Sequence, residues 1–136
     1  MGEIVLKSPD AVIDSVDLSD HIRSITITYG AEIQDKTASG DETRTKLAGL
    51  IDWSVAIEFN QDYAADKVDA TLFSLVGAAA FSVVFKPGSG AVGVTNPSFS
   101  GNALLESYIP IGGTVGETHV SPVTLQGDDT LTRATS

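Results

Sequence analysis

Cysteine does not occur in the 136-residue chain, so disulfides, thiolate nucleophiles and cysteine-ligated zinc are excluded. Bases are scarce. Eight Lys and Arg face eighteen Asp and Glu, a formal charge of −10. Nucleic-acid binding by counterion release needs a basic surface, so that class is excluded. An anionic membrane would repel the chain for the same reason. No run approaches the roughly 18 apolar residues of a membrane span. Met1 to Lys7 lacks a basic stretch followed by a long apolar run, so no signal peptide is expected.

Chemical motifs are equally sparse. The two histidines, His21 and His119, stand in neither a His-x₃-His nor a His-Glu-x-x-His spacing, and no metal site is expected from them. Asp10, Asp14, Asp17 and Asp20 lack the Asp-x-Asp-x-Asp-Gly loop and closing Glu of a calcium site, and read as a solvated edge. Gly88 to Gly93 is glycine-rich but carries no Lys-Ser/Thr and opens no helix, so it is a plain loop. No Gly-x-Ser-x-Gly elbow is present. Asn96-Pro97-Ser98 fails as a glycosylation acceptor because its middle residue is proline. These patterns give no catalytic, cofactor-binding or metal-binding residue, and no enzyme is expected.

What is present is a foldable amount of apolar sequence. Hydrophobic residues make up 42% of the chain, enough for one domain with a real core over residues 1–136. Residues 1–10 read as a loose N-terminal extension. Ala11 to Val16 predicts a short strand, followed by a turn at Asp17 to Asp20. Ser24, Thr26 and Thr28 alternate with Ile25, Ile27 and Tyr29, a two-faced strand. Trp53, Val55, Ile57 and Phe59 alternate with Asp52, Ser54, Ala56, Glu58 and Asn60 in a second one. Pleating puts Ile25, Ile27, Trp53, Val55 and Ile57 in the core and Thr26, Thr28, Ser54, Ala56 and Glu58 on the opposite face.

Between these strands, Gln34 to Leu47 is polar except for Leu47 and its small residues. A loop this long tends to be functional, and it predicts a protruding arm carrying Gln34, Asp35, Lys36, Asp41, Glu42, Arg44 and Lys46. Asp66 to Val76 predicts the one helix, capped by Asp66 with Asp69 three residues on. Val68, Leu72, Leu75 and Val76 would form its apolar stripe, and Gly77 its stop. Further strands are expected at Phe81 to Phe85, at Phe99 to Ile109 with a bulge at Gly101, and at His119 to Gln126. Gly127-Asp128-Asp129 reads as a turn before a short edge strand at Leu131 to Ala134. The class is mainly β, a sandwich or barrel with one packed helix. Many strands with few blunting lysines point to sheet edges used for assembly.

The order of several segments resembles the major tail proteins of long-tailed (siphovirus) bacteriophages. These are Val16 to Thr28, Gly49 to Phe59 with Gln61-Asp62-Tyr63, Asn96 to Ala103, Pro110 to Glu117, and Val123 to Gly127. The likeness covers about residues 11–134, and no single motif in it is catalytic. Asp129 departs from it, standing where a tight turn favours glycine. The resemblance implies a tail tube fold, hexameric rings stacked into a tube, and genomic DNA passing through the lumen without specific binding. It makes Thr26, Thr28, Ser54, Ala56 and Glu58 lumen-facing and gives the 34–47 arm contacts to a neighbouring ring. Partners would be further copies, the tape measure, the tail terminator and the distal tail protein, with no membrane and no cofactor. The location implied is the virion tail, after synthesis in the host bacterial cytoplasm. Six copies at −10 would carry a formal charge of about −60 per ring, a field that repels phosphate. Other readings are a tail terminator or secretion-tube component of related fold and a carbohydrate-binding β-sandwich.

Overall fold

The computed structural model describes residues 5–40 and 42–136. Seven strands form one antiparallel sheet: β1 (Asp10–Ile13), β2 (Val16–Asp17), β3 (Ile22–Asp35), β4 (Lys46–Asn60), β5 (Phe81–Lys86), β6 (Ser98–Tyr108) and β7 (Val120–Ala134). Their order across the sheet is β2-β1-β5-β6-β7-β4-β3. The sheet carries its core on one face. Ile13, Val55, Ile57, Phe59, Phe85 and Leu125 from four strands all lie in one buried cluster. Burying residues from both halves of an unbroken sheet against each other requires it to curl, so the barrel-like expectation holds with one sheet rather than two. β3 and β2 are left as its edges.

Helix α1 (Val68–Leu72) continues into a 3₁₀ turn over Phe73–Leu75 and closes the core with Val68, Leu72 and Leu75. Three details differ from the sequence expectation. Lys67 is the N-cap residue, and Asp66 sits at φ 60° outside the helix. Asp69 receives the Tyr108 hydroxyl (2.6 Å) instead of completing a capping box. The apolar stripe also stops short, since Val76 is half exposed. Gly77, at φ 78°, takes the left-handed conformation that ends the helix.

Other boundaries moved for identifiable reasons. The strand expected at 11–16 is a tight hairpin, β1 and β2 joined by Asp14 and Ser15 at positive φ. The turn expected at 127–129 is not a turn. β7 runs through it, paired to β6 from Tyr108↔Val123 to Ser98↔Ala134. Asp129 absorbs the irregularity at φ 70°, the conformation for which glycine was expected there. Gly101 falls at a register shift between Ser100 and Asn102, as its position in the strand pattern suggested.

Candidate channel and assembly surfaces

The face of the sheet turned away from the core is built by register. Ser54, Ala56 and Glu58 of β4 lie opposite Thr28, Thr26 and Ser24 of β3. On their other side they meet Gln126, Thr124 and Pro122 of β7. β6 extends the same face, with Leu104 paired to Gln126 and Glu106 accepting from the Gln126 amide (3.1 Å). Thr26, Thr28, Ala56 and Glu58 are exposed and Ser54 is half-buried. All five residues expected on this face therefore share it. The sequence reading missed Pro122, Thr124, Gln126 and Glu106. Their alternation with Ser121, Val123 and Leu125 was the available signal. The side chains named are short or neutral apart from Glu58 and Glu106, and none is basic.

β3 is an edge along its whole length, fourteen residues or roughly 46 Å of strand at about 3.3 Å each. β4 pairs with β7 only from Ser54 to Asn60. Beyond Trp53 the β3–β4 pair therefore leaves the sheet as a two-stranded ribbon. Of the described residues of the expected arm, only 36–40 and 42–45 lie outside strands, because β3 and β4 continue pairing to Asp35↔Lys46. A register shift between Ala31 and Ile33 bends the ribbon. Gly49 fits there against the Glu32 carbonyl, where a Cβ would stand 3.1 Å away.

The ribbon tip is laced internally. The Thr37 amide donates to the Asp35 carboxylate (2.8 Å), and Arg44 Nη1 donates to its other oxygen (2.9 Å). The Thr45 amide donates to the Thr37 hydroxyl (2.8 Å), and the Lys36 amide to the Thr45 carbonyl (2.9 Å). Bonds from the Thr37 hydroxyl and amide, then from Arg44, hold the Asp35 carboxyl below its usual range. Gln34, Asp35, Lys36, Glu42, Arg44 and Lys46 are all exposed, while Asp41 lies outside the described residues. The ribbon is not polar throughout. Tyr29, Ile33, Leu47, Leu50 and Ile51 are each more than half exposed. At its root, Ile27, Tyr29, Phe99, Leu131 and Arg133 line a groove of about 350 Å³.

The opposite end of the sheet is a pinned loop cluster. The Gly112 amide donates to His119 Nε2 (2.7 Å), which makes that nitrogen an acceptor. His119 Nδ1 lies 3.2 Å from the Tyr63 hydroxyl, which donates to the Pro110 carbonyl (2.7 Å). Gln61 Nε2 also donates to Pro110 (3.0 Å), and buried Ser121 donates to Ile109 (2.7 Å). His21 Nε2 lies 3.0 Å from an Asp62 carboxylate oxygen at the same end. So both histidines have structural partners. Among the described residues no group of three or more His, Asp or Glu is placed to hold a metal ion. No helix among the described residues is long and apolar enough to cross a membrane.

No family profile and no curated protein matches the chain. Solved structures do. One chain of the virion of a native gene transfer agent particle superposes with a TM-score of 0.75 at 15% identity, over 97% of this chain and 99% of that one. A chain of an extracellular contractile injection system, the PVC sheath-tube complex in the extended state, gives 0.71 at 10% identity over 98% and 93%. A chain from the tail of an empty gene transfer agent particle, refined with C6 symmetry, gives 0.66 at 15% identity over 82% and 81%. The fold is thus one found in tail and tube particles, and it is tail-tube-like as the resemblance implied.

Proposed function

We propose that this chain is a structural subunit of a phage-type tail tube. It assembles edge to edge through β3 into hexameric rings that stack around a channel for DNA. The observation that carries this reading is the pairing of two surfaces on one sheet. One is an open fourteen-residue edge, and the other is a polar, uncharged-to-acidic face spanning β3, β4, β7 and β6. Unpaired strand edges recruit further strands unless they are blunted. Joining copies at β3 would extend the sheet around an axis and turn its Thr26/Ala56/Thr124 face inward. A lumen of short side chains with Glu58 and Glu106 offers phosphate no cationic site, so DNA slides without counterion-release binding. The likeness to chains of tail and sheath-tube particles supports the same role. A sugar-binding reading has less support, because the exposed aromatics Tyr29, Tyr63 and Phe73 stand on three different elements. Virion location and partnership with other tail proteins follow from the tube role.

Negative-stain microscopy of the purified protein over a range of concentrations tests this. Rings with a central hole, or tubes built of them, are the expected result. A chain that stays monomeric at every concentration contradicts it.

A further inference from the structure

His119, the residue before β7, ties down the loop over residues 109–118. A neutral imidazole has one N–H and one nitrogen that only accepts. The Gly112 amide points at Nε2 (2.7 Å), so Nε2 is the accepting nitrogen. The ring proton is then on Nδ1, where it donates to the Tyr63 hydroxyl oxygen (3.2 Å). Tyr63 donates its own hydrogen to the Pro110 carbonyl (2.7 Å). The relay from Gly112 through His119 and Tyr63 to Pro110 begins and ends in one loop, and each group in it has its partner.

A second ring proton does not fit this relay. An imidazolium donates from both nitrogens, so a proton on Nε2 would meet the Gly112 N–H head-on. Nearby acids do not offset the charge. Tyr63 is the titratable group in ring contact, with centroids 5.9 Å apart, and Glu117 is the acid of the loop itself. Asp62 is engaged by His21 and the Ala64 amide, and Asp69 by the Tyr108 hydroxyl of β6. Asp66 and Lys67, the other charges of the 61–69 segment, are exposed. From β4 the residues in register are Asn60 and Gln61, both neutral. Among the described residues His119 forms no ion pair. His21 is the contrast. Its Nε2 faces a carboxylate oxygen (3.0 Å), so a proton there makes the contact instead of breaking it.

We propose that His119 is a proton-sensitive latch on the 109–118 loop. The neutral ring holds Gly112 against Tyr63, and the charged ring lets Gly112 go. Histidine is the side chain that takes up a proton between about pH 5 and 8. The loop is therefore fastened at neutral pH and loosened in mild acid. Ser121 holds Ile109 through a hydroxyl that does not titrate, so release stops at the root of the loop. Ile111 and Val115, both strongly exposed, ride on the released part, and the latch thus governs an apolar surface at one end of the sheet. It belongs to the single chain and does not depend on tube assembly.

NMR of the ¹⁵N-labelled protein tests this, in solution for free subunits or with sample spinning for assembled ones. At about pH 7.5 His119 Nε2 should carry no proton. As the pH falls to about 5, the Gly112 amide should shift along the same one-proton curve as the His119 ring. Its exchange with water, corrected for the pH dependence of free amides, should quicken about tenfold, roughly the worth of one hydrogen bond. His119→Gln, which takes up no proton, should abolish this pH dependence. A protonated Nε2 at about pH 7.5, or a ring that stays neutral down to about pH 5, overturns the latch. A Gly112 amide unmoved by the ring's titration, or one that shifts equally in His119→Gln, overturns it as well. None of these outcomes touches the tube reading.

Discussion

The indole of Trp53 lies directly on the backbone of Gly127, where a Cβ would stand 2.2 Å from its Cε2 atom. Its Nε1 donates to the Asp129 carbonyl at 3.0 Å, and its Cζ2 lies 2.9 Å from where a Cβ on Gly101 would be. Two glycines on β6 and β7 thus form the floor under the largest side chain of the core. The contact is made just where the ribbon leaves the sheet, so it anchors the arm to the body.

Gly127→Ala is expected to destabilise the fold by roughly 1–3 kcal/mol, because the added methyl meets the flat face of a fixed ring. Urea unfolding followed by fluorescence measures this cleanly, since Trp53 is the chain's single tryptophan. An unchanged midpoint would show that the ring moves aside freely.

Stability should fall at both pH extremes, through different groups. Burial, reinforced by donation of its hydroxyl to Asp69, pushes Tyr108 from 10.0 up to about 12. The folded state then holds a proton that the unfolded state releases, so this contribution is complete below pH 10 and is lost between about 10 and about 12. Tyr108→Phe should lower stability at neutral pH by about 1 kcal/mol and flatten the alkaline decline. On the acid side, the Ala64 amide and then His21 hold the Asp62 carboxyl below its usual range. That contribution is present above the ordinary carboxylate pKa and is lost as pH falls below it. Asp62→Asn should make the acid transition shallower. Denaturant midpoints recorded across pH check both.

Much of this architecture was legible in the sequence because strict alternation has only one physical reading. Trp53, Val55, Ile57 and Phe59 could all be buried only on one face of a strand, and they are. The same phase fixed Thr26, Ala56 and Glu58 on the opposite face. Three features were not legible. The Asp14-Ser15 hairpin puts two successive non-glycine residues in left-handed backbone, with no glycine in the sequence to mark the turn. β7 passes through Gly127-Asp128-Asp129 because its neighbour β6 supplies partners on either side, a tertiary effect that turn chemistry does not encode. The exposure of Ile33, Leu50 and Ile51 on the ribbon was the third, since nothing in sequence says that β7 stops pairing at Ser54.

Replacing residues 36–45 by a short turn should leave a folded protein, since every core residue lies outside them. Thermal unfolding is expected to stay cooperative while microscopy shows no long tubes. Normal tubes after the deletion would remove the arm from assembly.

Glu58→Lys should still assemble, because Glu58 is exposed on the face away from the core. Lining the channel with lysine would create phosphate contacts, each adding about 0.9 to the salt slope of DNA binding. Tubes of this variant are expected to retain double-stranded DNA at low salt and release it at high salt, while wild-type tubes retain none. Equal retention by both would argue that residue 58 never meets the channel.

The central claim is that the polar face of the β3–β4–β7–β6 sheet lines a channel. A helical cryo-EM reconstruction of the assembled protein tests it most directly. The account predicts density for Thr26, Ala56, Glu58, Thr124 and Glu106 pointing into a central lumen, with β3 paired to a strand of the adjacent copy. Glu58 on the outer wall, or buried between subunits, would contradict it.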